Sequence, residues 1–225
     1  MKSANTTKKP RGWLRPPELS ARTRWLLTAG LGLCAVLGTH LLCQLVGTLD
    51  FSGERFASYF HFPAIFFLNL LPVALLMALL YFLTNRAWLA YLLSAALLLL
   101  MEFGNYFKIS IRGDPFMAED FTLLGEAAGS VGNYEMHFPA LFFISLGLLA
   151  LMTLALWRWA RGRVPKRRWW LRVVGAAVCI ALALLSWQLW YSDAALYDAQ
   201  ENDAHFHVAR EAENYAAHGF FWSFL

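Results

Sequence analysis

The chain has 225 residues, of which 59% are apolar, with ten Trp and eighteen Phe. Several of its apolar runs reach the roughly 20 residues that carry a helix across about 30 Å of hydrocarbon, which excludes an ordinary water-soluble domain. In lipid every backbone N–H and C=O must bond internally, so these runs are read as helices. The formal net charge of +4 averages two opposed faces, and the basic residues flank apolar spans, so no nucleic-acid partner is expected.

In chain order, residues 1–24 form a basic segment and residues 25–191 a five-helix transmembrane domain. The expected spans are Trp25–Val46, Phe62–Leu83, Trp88–Phe103, Phe138–Trp157 and Trp169–Trp190. The first is too long for the apolar region of a signal peptide and lacks a small-x-small cleavage site, so it is expected to stay as an anchor. It carries His40 and Gln44 four residues apart, and Gly30, Gly32 and Gly38 that would admit a close helix neighbour. The second carries Asn69 and Pro72, with a kink expected at the proline. These intramembrane polar groups are read as contacts between helices. Cys34, Cys43 and Cys179 all fall within spans and read as small apolar filler, with no disulfide or metal spacing.

Charge sets the orientation. Fifteen of the nineteen basic residues fall before the first span, in the Arg86 hairpin, or around the link between spans four and five (158–168, with Arg172 just beyond). The other face holds Arg55, Lys108, Arg112 and Arg210 against fourteen of the fifteen acids. The positive-inside rule then predicts a cytoplasmic N-terminus and an outer C-terminus.

"HFPAIFF" (61–67) and "HFPALFF" (137–143) agree at six of seven positions and open the two spans that run inward. They read either as an old duplication of a helical hairpin or as similar helix-start and aromatic-belt chemistry arrived at twice. His61 and His137 are read as interfacial anchors.

Between spans three and four lies an outer loop, 104–137, whose opening "NYFKISIRGDPFMAEDF" places five charges in seventeen residues. Gly113-Asp114-Pro115 is turn chemistry. Beyond it, Phe116–Ala128 alternates apolar and acidic residues as a short interfacial amphipathic helix would, capped by Asp114 or by the proline turn. Lys108 and Arg112 are four apart and would share a face if that stretch is helical. An ammonium beside a guanidinium fork is a reasonable phosphate clamp, with Asp114 or Asp120 orienting Arg112. Alternatively both cations pair with Glu102, Asp114 or lipid phosphate and set membrane depth. The ionisable residues otherwise gather at span ends, His40 being the main exception. Residues 192–225 read as an outer linker ending in "ENYAAHGFFWSFL". Its His205, His207 and His218 lack a metal-site geometry, so no metal is assigned to this chain.

The five spans, their polarity, the loop "NYFKISIRGDPFMAEDFTLLGEA" and the tail "ENYAAHGFFWSF" resemble, over about residues 25–225, the membrane half of lipoteichoic acid synthase-like proteins. These are bacterial phosphoglycerol transferases related to alkaline phosphatases and sulfatases. The family often carries an N…K…R…P…D loop between spans three and four, here Asn105, Lys108, Arg112, Pro115 and Asp120. After span five it has an Asn-Gly-Phe-like stretch, for which this chain offers His218-Gly219-Phe220. The resemblance implies a bacterial plasma-membrane protein that binds phospholipid, phosphatidylglycerol above all, through a headgroup site at Asn105, Lys108, Arg112, Asp114 and Asp120. It also implies an extracytoplasmic domain in which a metal-held Thr (Mn or Mg) takes glycerophosphate from the lipid. The chain departs from the pattern at Leu225, with no segment supplying that Thr or its ligands. The expectation is therefore an anchor and lipid-presenting domain, inactive alone and without catalytic residues or cofactor of its own. The alternative is a stand-alone multi-pass membrane protein, such as a transporter subunit or an assembly partner. A transporter calls for charged or broken-helix sites near the midplane, and the placement of the ionisable residues at span ends, with His40 the main exception, favours the anchor.

Overall fold

The computed structural model describes residues 20–47, 60, 63–112, 116, 120, 138–160 and 168–191. Among these the protein is all-helical, without strands, and five helices are long and apolar enough to cross a membrane. They are α1 (Ala21–Gly47), α2 (Pro63–Thr84), α3 (Ala87–Arg112), α4 (Ala140–Ala160) and α5 (Trp169–Ser186), the last running into a π-helical turn, Trp187–Tyr191.

Local chemistry explains the ends. Ser20 caps α1, its hydroxyl oxygen accepting the Thr23 N–H at 3.1 Å. Pro63 opens α2, where its missing N–H leaves no gap. α2 stops at Thr84 because Asn85 takes φ +54 and returns its N–H to the Tyr81 carbonyl at 2.7 Å, the left-handed stop that Asn tolerates. Arg86 follows, and its carbonyl accepts the Ala90 N–H as α3 begins, so α2 and α3 form a tight antiparallel hairpin. Hydroxyls inside the helices turn back on their own backbone, as Thr39, Ser94, Ser145 and Thr153 do on carbonyls three or four residues earlier.

α3 is the central helix, packed against α1, α2 and α4, while α5 lies along α2. The outward faces carry Leu100, Leu151, Val173 and Leu184, all exposed, as lipid-facing positions would be.

α5 is held to α2 at three levels. Arg172 Nε donates to the Phe82 carbonyl at 3.0 Å and Nη2 to the Leu83 carbonyl. α2 has no basic residue in its own last turn, so α5 supplies the cation that a helix C-terminus favours. Next, Gly175 faces the Phe82 ring so closely that an added Cβ would fall 2.3 Å from it. At the far end the Tyr191 hydroxyl donates to the Leu68 carbonyl. Pro72 lacks the N–H that would otherwise bond residue 68, so Tyr191 fills the vacancy that proline creates.

Two expectations are corrected. Span three does not end at Phe103; α3 continues helically for nine more residues to Arg112, so 104–112 is helix rather than loop. Gly30, Gly32 and Gly38 are not close-approach sites, since a Cβ at each would meet nothing within 4 Å among the described residues. The interfacial helix expected at Phe116–Ala128, His61, His137, Asp114 and the 192–225 tail lie outside the described residues, apart from Phe116 and Asp120.

Candidate functional site

At 26 residues, α3 is about 39 Å long, some 9 Å more than the hydrocarbon it must cross. Its last two turns, at the C-terminal end, bear Asn105, Lys108 and Arg112. Two contacts tie Phe116 and Asp120 back to this helix end. Asn105 Oδ1 accepts the Phe116 N–H at 2.7 Å. Lys108 Nζ pairs with Asp120 Oδ2 at 2.7 Å, both side chains only 17% exposed. Thus three of the five residues expected at the site meet along one helix end. The Asp120 carboxylate pairs with Lys108, while the expectation that Asp114 or Asp120 orients Arg112 falls on side chains outside the described residues. Arg112 closes α3 one turn beyond Lys108, and nothing in the described residues places Asp114.

Beneath this rim lies a layer of buried polar side chains. α1 contributes His40 and Gln44, α2 Asn69, α3 Glu102 and Asn105, and α4 Ser145, each 3% exposed or less. Ring contacts fix the register of the layer: His40 meets Phe66 at 5.1 Å, Phe103 meets Phe142 at 4.8 Å and Phe107 meets Phe138 at 5.3 Å. Glu102 also lies within electrostatic range of Cys43 on α1. The two heptapeptides are used alike. Phe66 and Phe142, equivalent in the repeat, each pack on the preceding helix, and the residues three positions on, Asn69 and Ser145, are both buried.

This layer corrects the expectation that His40 is the main intramembrane exception, because Glu102 is an ionisable group enclosed at 2% exposure. Its sequence signal was the spacing of Leu98, Glu102, Asn105 and Ile109, a helical stripe that ends among charges and reads as a span end unless the helix is known to continue. The polar layer belongs to one end of the bundle. In the opposite half the buried polar side chain among the described residues is Ser94, whose hydroxyl donates to the Tyr91 carbonyl. No group of three or more His, Cys, Asp or Glu that could hold a metal occurs among the described residues.

Comparison with family models, curated proteins and solved structures finds no match to the chain.

Proposed function

We propose that this chain is the membrane anchor and lipid-presenting part of a lipoteichoic acid synthase-like phosphoglycerol transferase. In this reading it lies in a bacterial plasma membrane with its N-terminus cytoplasmic and its C-terminus outside, and holds an anionic phospholipid such as phosphatidylglycerol at the outer rim. The observation that carries it is the paired attachment of Phe116 to Asn105 and of Asp120 to Lys108, which brings Asn105, Lys108 and Asp120 of the N…K…R…P…D pattern to one helix end. Lys108 is neutralised by Asp120 and braces the loop. Arg112, one turn further out, carries the phosphate, for which its fork geometry is suited. The chain then supplies position, and bond making belongs to the metal-held Thr of the extracytoplasmic part of such enzymes. The buried polar layer is the feature that would favour a transporter subunit. Its confinement to one half of the bundle suits a site at the rim better than a path through the membrane.

Native mass spectrometry of the purified chain tests the reading. Arg112→Gln is expected to lower retention of phosphatidylglycerol about tenfold, within the range of a charged hydrogen bond, while Arg55→Gln changes little. Equal retention by both variants, with folding intact, would mean that the charged segment only sets membrane depth.

A further inference from the structure

Asn105 has one half of its amide committed and the other idle. Its Oδ1 accepts the Phe116 N–H, and a flipped amide would set two donors against each other, so the orientation is fixed by chemistry. Nδ2 is consequently aimed away from Phe116 into the protein, where it is buried without a hydrogen-bond partner among the described residues. The whole residue is 0% exposed. Unmet buried donors are costly and rare, which points to something that meets this one.

The surroundings narrow what that is. Glu102 lies three residues earlier, on the same face one turn deeper, and a carboxylate accepts at two oxygens. A cation or ammonium would suit Glu102 but oppose the Nδ2 donor. A phosphate oxygen would suit Nδ2 but stand beside a buried carboxylate. A hydroxyl accepts from one and donates to the other.

We propose that Asn105 Nδ2 and the Glu102 carboxylate together bind a hydroxyl group at the buried outer end of α3, brought either by a lipid headgroup or by a water. The headgroup source rests on the lipid-presenting reading above; the water source does not.

The test compares three lipids on the full chain by native mass spectrometry: phosphatidylglycerol, phosphatidylmethanol (the same phosphodiester charge without a headgroup hydroxyl) and phosphatidylcholine. If the hydroxyl is a headgroup's, phosphatidylglycerol is retained about fivefold more than phosphatidylmethanol, the factor one net hydrogen bond carries. That preference disappears in Asn105→Asp, which keeps an acceptor for Phe116 but loses the donor, and shrinks in Glu102→Gln, whose shape is conserved. If the two anionic lipids are retained equally, a map fine enough to show water has ordered density within hydrogen-bond distance of both Asn105 Nδ2 and Glu102, absent in Asn105→Leu. Equal retention without that density overturns the proposal, as does a phosphatidylglycerol preference that survives in both Asn105→Asp and Glu102→Gln. The lipid-presenting reading fails separately, when neither anionic lipid is retained better than phosphatidylcholine.

Discussion

Pro72 and Tyr191 are far apart in sequence, yet the structure makes one the reason for the other. Proline at 72 removes the N–H that would bond the Leu68 carbonyl, and in hydrocarbon no water replaces it. The Tyr191 hydroxyl does, from a π-helical turn whose altered winding separates it from the regular face of α5. Tyr191→Phe therefore removes a donor and strands a carbonyl. Hydrogen bonds between membrane helices average about 0.6 kcal/mol and reach about 1.7 kcal/mol. An acceptor left dry adds to the loss, so a cost of about 1–2 kcal/mol is expected. Pro72→Ala restores the N–H within the helix. In that background Tyr191→Phe should cost no more than about 0.5 kcal/mol, leaving a coupling near 1 kcal/mol. SDS titration of the folded protein in mixed micelles, followed by far-UV circular dichroism, measures all four corners of the cycle. An identical cost of Tyr191→Phe in both backgrounds would refute the reasoning, because Leu68 would then not be the shared acceptor.

Gly175→Leu should destabilise the α2–α5 contact by about 1–3 kcal/mol, since even a Cβ falls 2.3 Å from the Phe82 ring; partial recovery on adding Phe82→Ala, in the same titration, identifies the clash. Arg172→Gln should cost about 1 kcal/mol by uncovering two terminal carbonyls of α2, and Arg172→Lys should recover only part because an ammonium lacks the fork. Amide exchange at Phe116 should quicken about tenfold in Asn105→Leu and stay near the native rate in Asn105→Asp, which retains the acceptor; equal acceleration in both would mean that Oδ1 does not protect it. For topology, a cysteine at residue 130 should react with an impermeant thiol reagent in intact cells and one at 165 should not, on a background without the three native cysteines; the reverse labelling would invert the orientation.

The five apolar runs were legible because a span needs only length and hydropathy, and both are local properties. The second, fourth and fifth spans end within a few residues of their helices for that reason. α3 was not legible at its C-terminal end. Hydropathy drops at Glu102 and Asn105, which looks like the edge of the membrane, yet the helix runs on with both side chains buried within the protein. Burial depends on neighbours, and neighbours are set by packing that one helix's sequence does not record. The same limit applies to the glycines. Three on α1 looked like a packing seam and meet open space, while Gly175, unremarked among the apolar residues of α5, faces Phe82. Which glycine matters is decided by the partner's side chain.

Of the charged cluster, the residue types were readable and the pairing was not. Lys108 and Arg112, four apart on a helix, looked interchangeable as phosphate ligands. For Lys108 the structure settles the partner: Asp120 comes within 2.7 Å of it, a fact of tertiary structure twelve residues removed in sequence. An ion pair at 17% exposure is better shielded than one on an open surface, so it holds Asp120 to α3 while lowering the charge that Lys108 offers a ligand. The deeper consequence falls on Asn105. With Phe116 held by the Asn105 oxygen and Asp120 by Lys108, the Asn105 amide is enclosed, its oxygen used and its nitrogen without a partner among the described residues. The buried end of α3 thereby carries a donor, Asn105 Nδ2, and a carboxylate, Glu102, about one turn apart. In the proposed site that pairing discriminates by hydrogen bonding, where a charge alone discriminates only by sign.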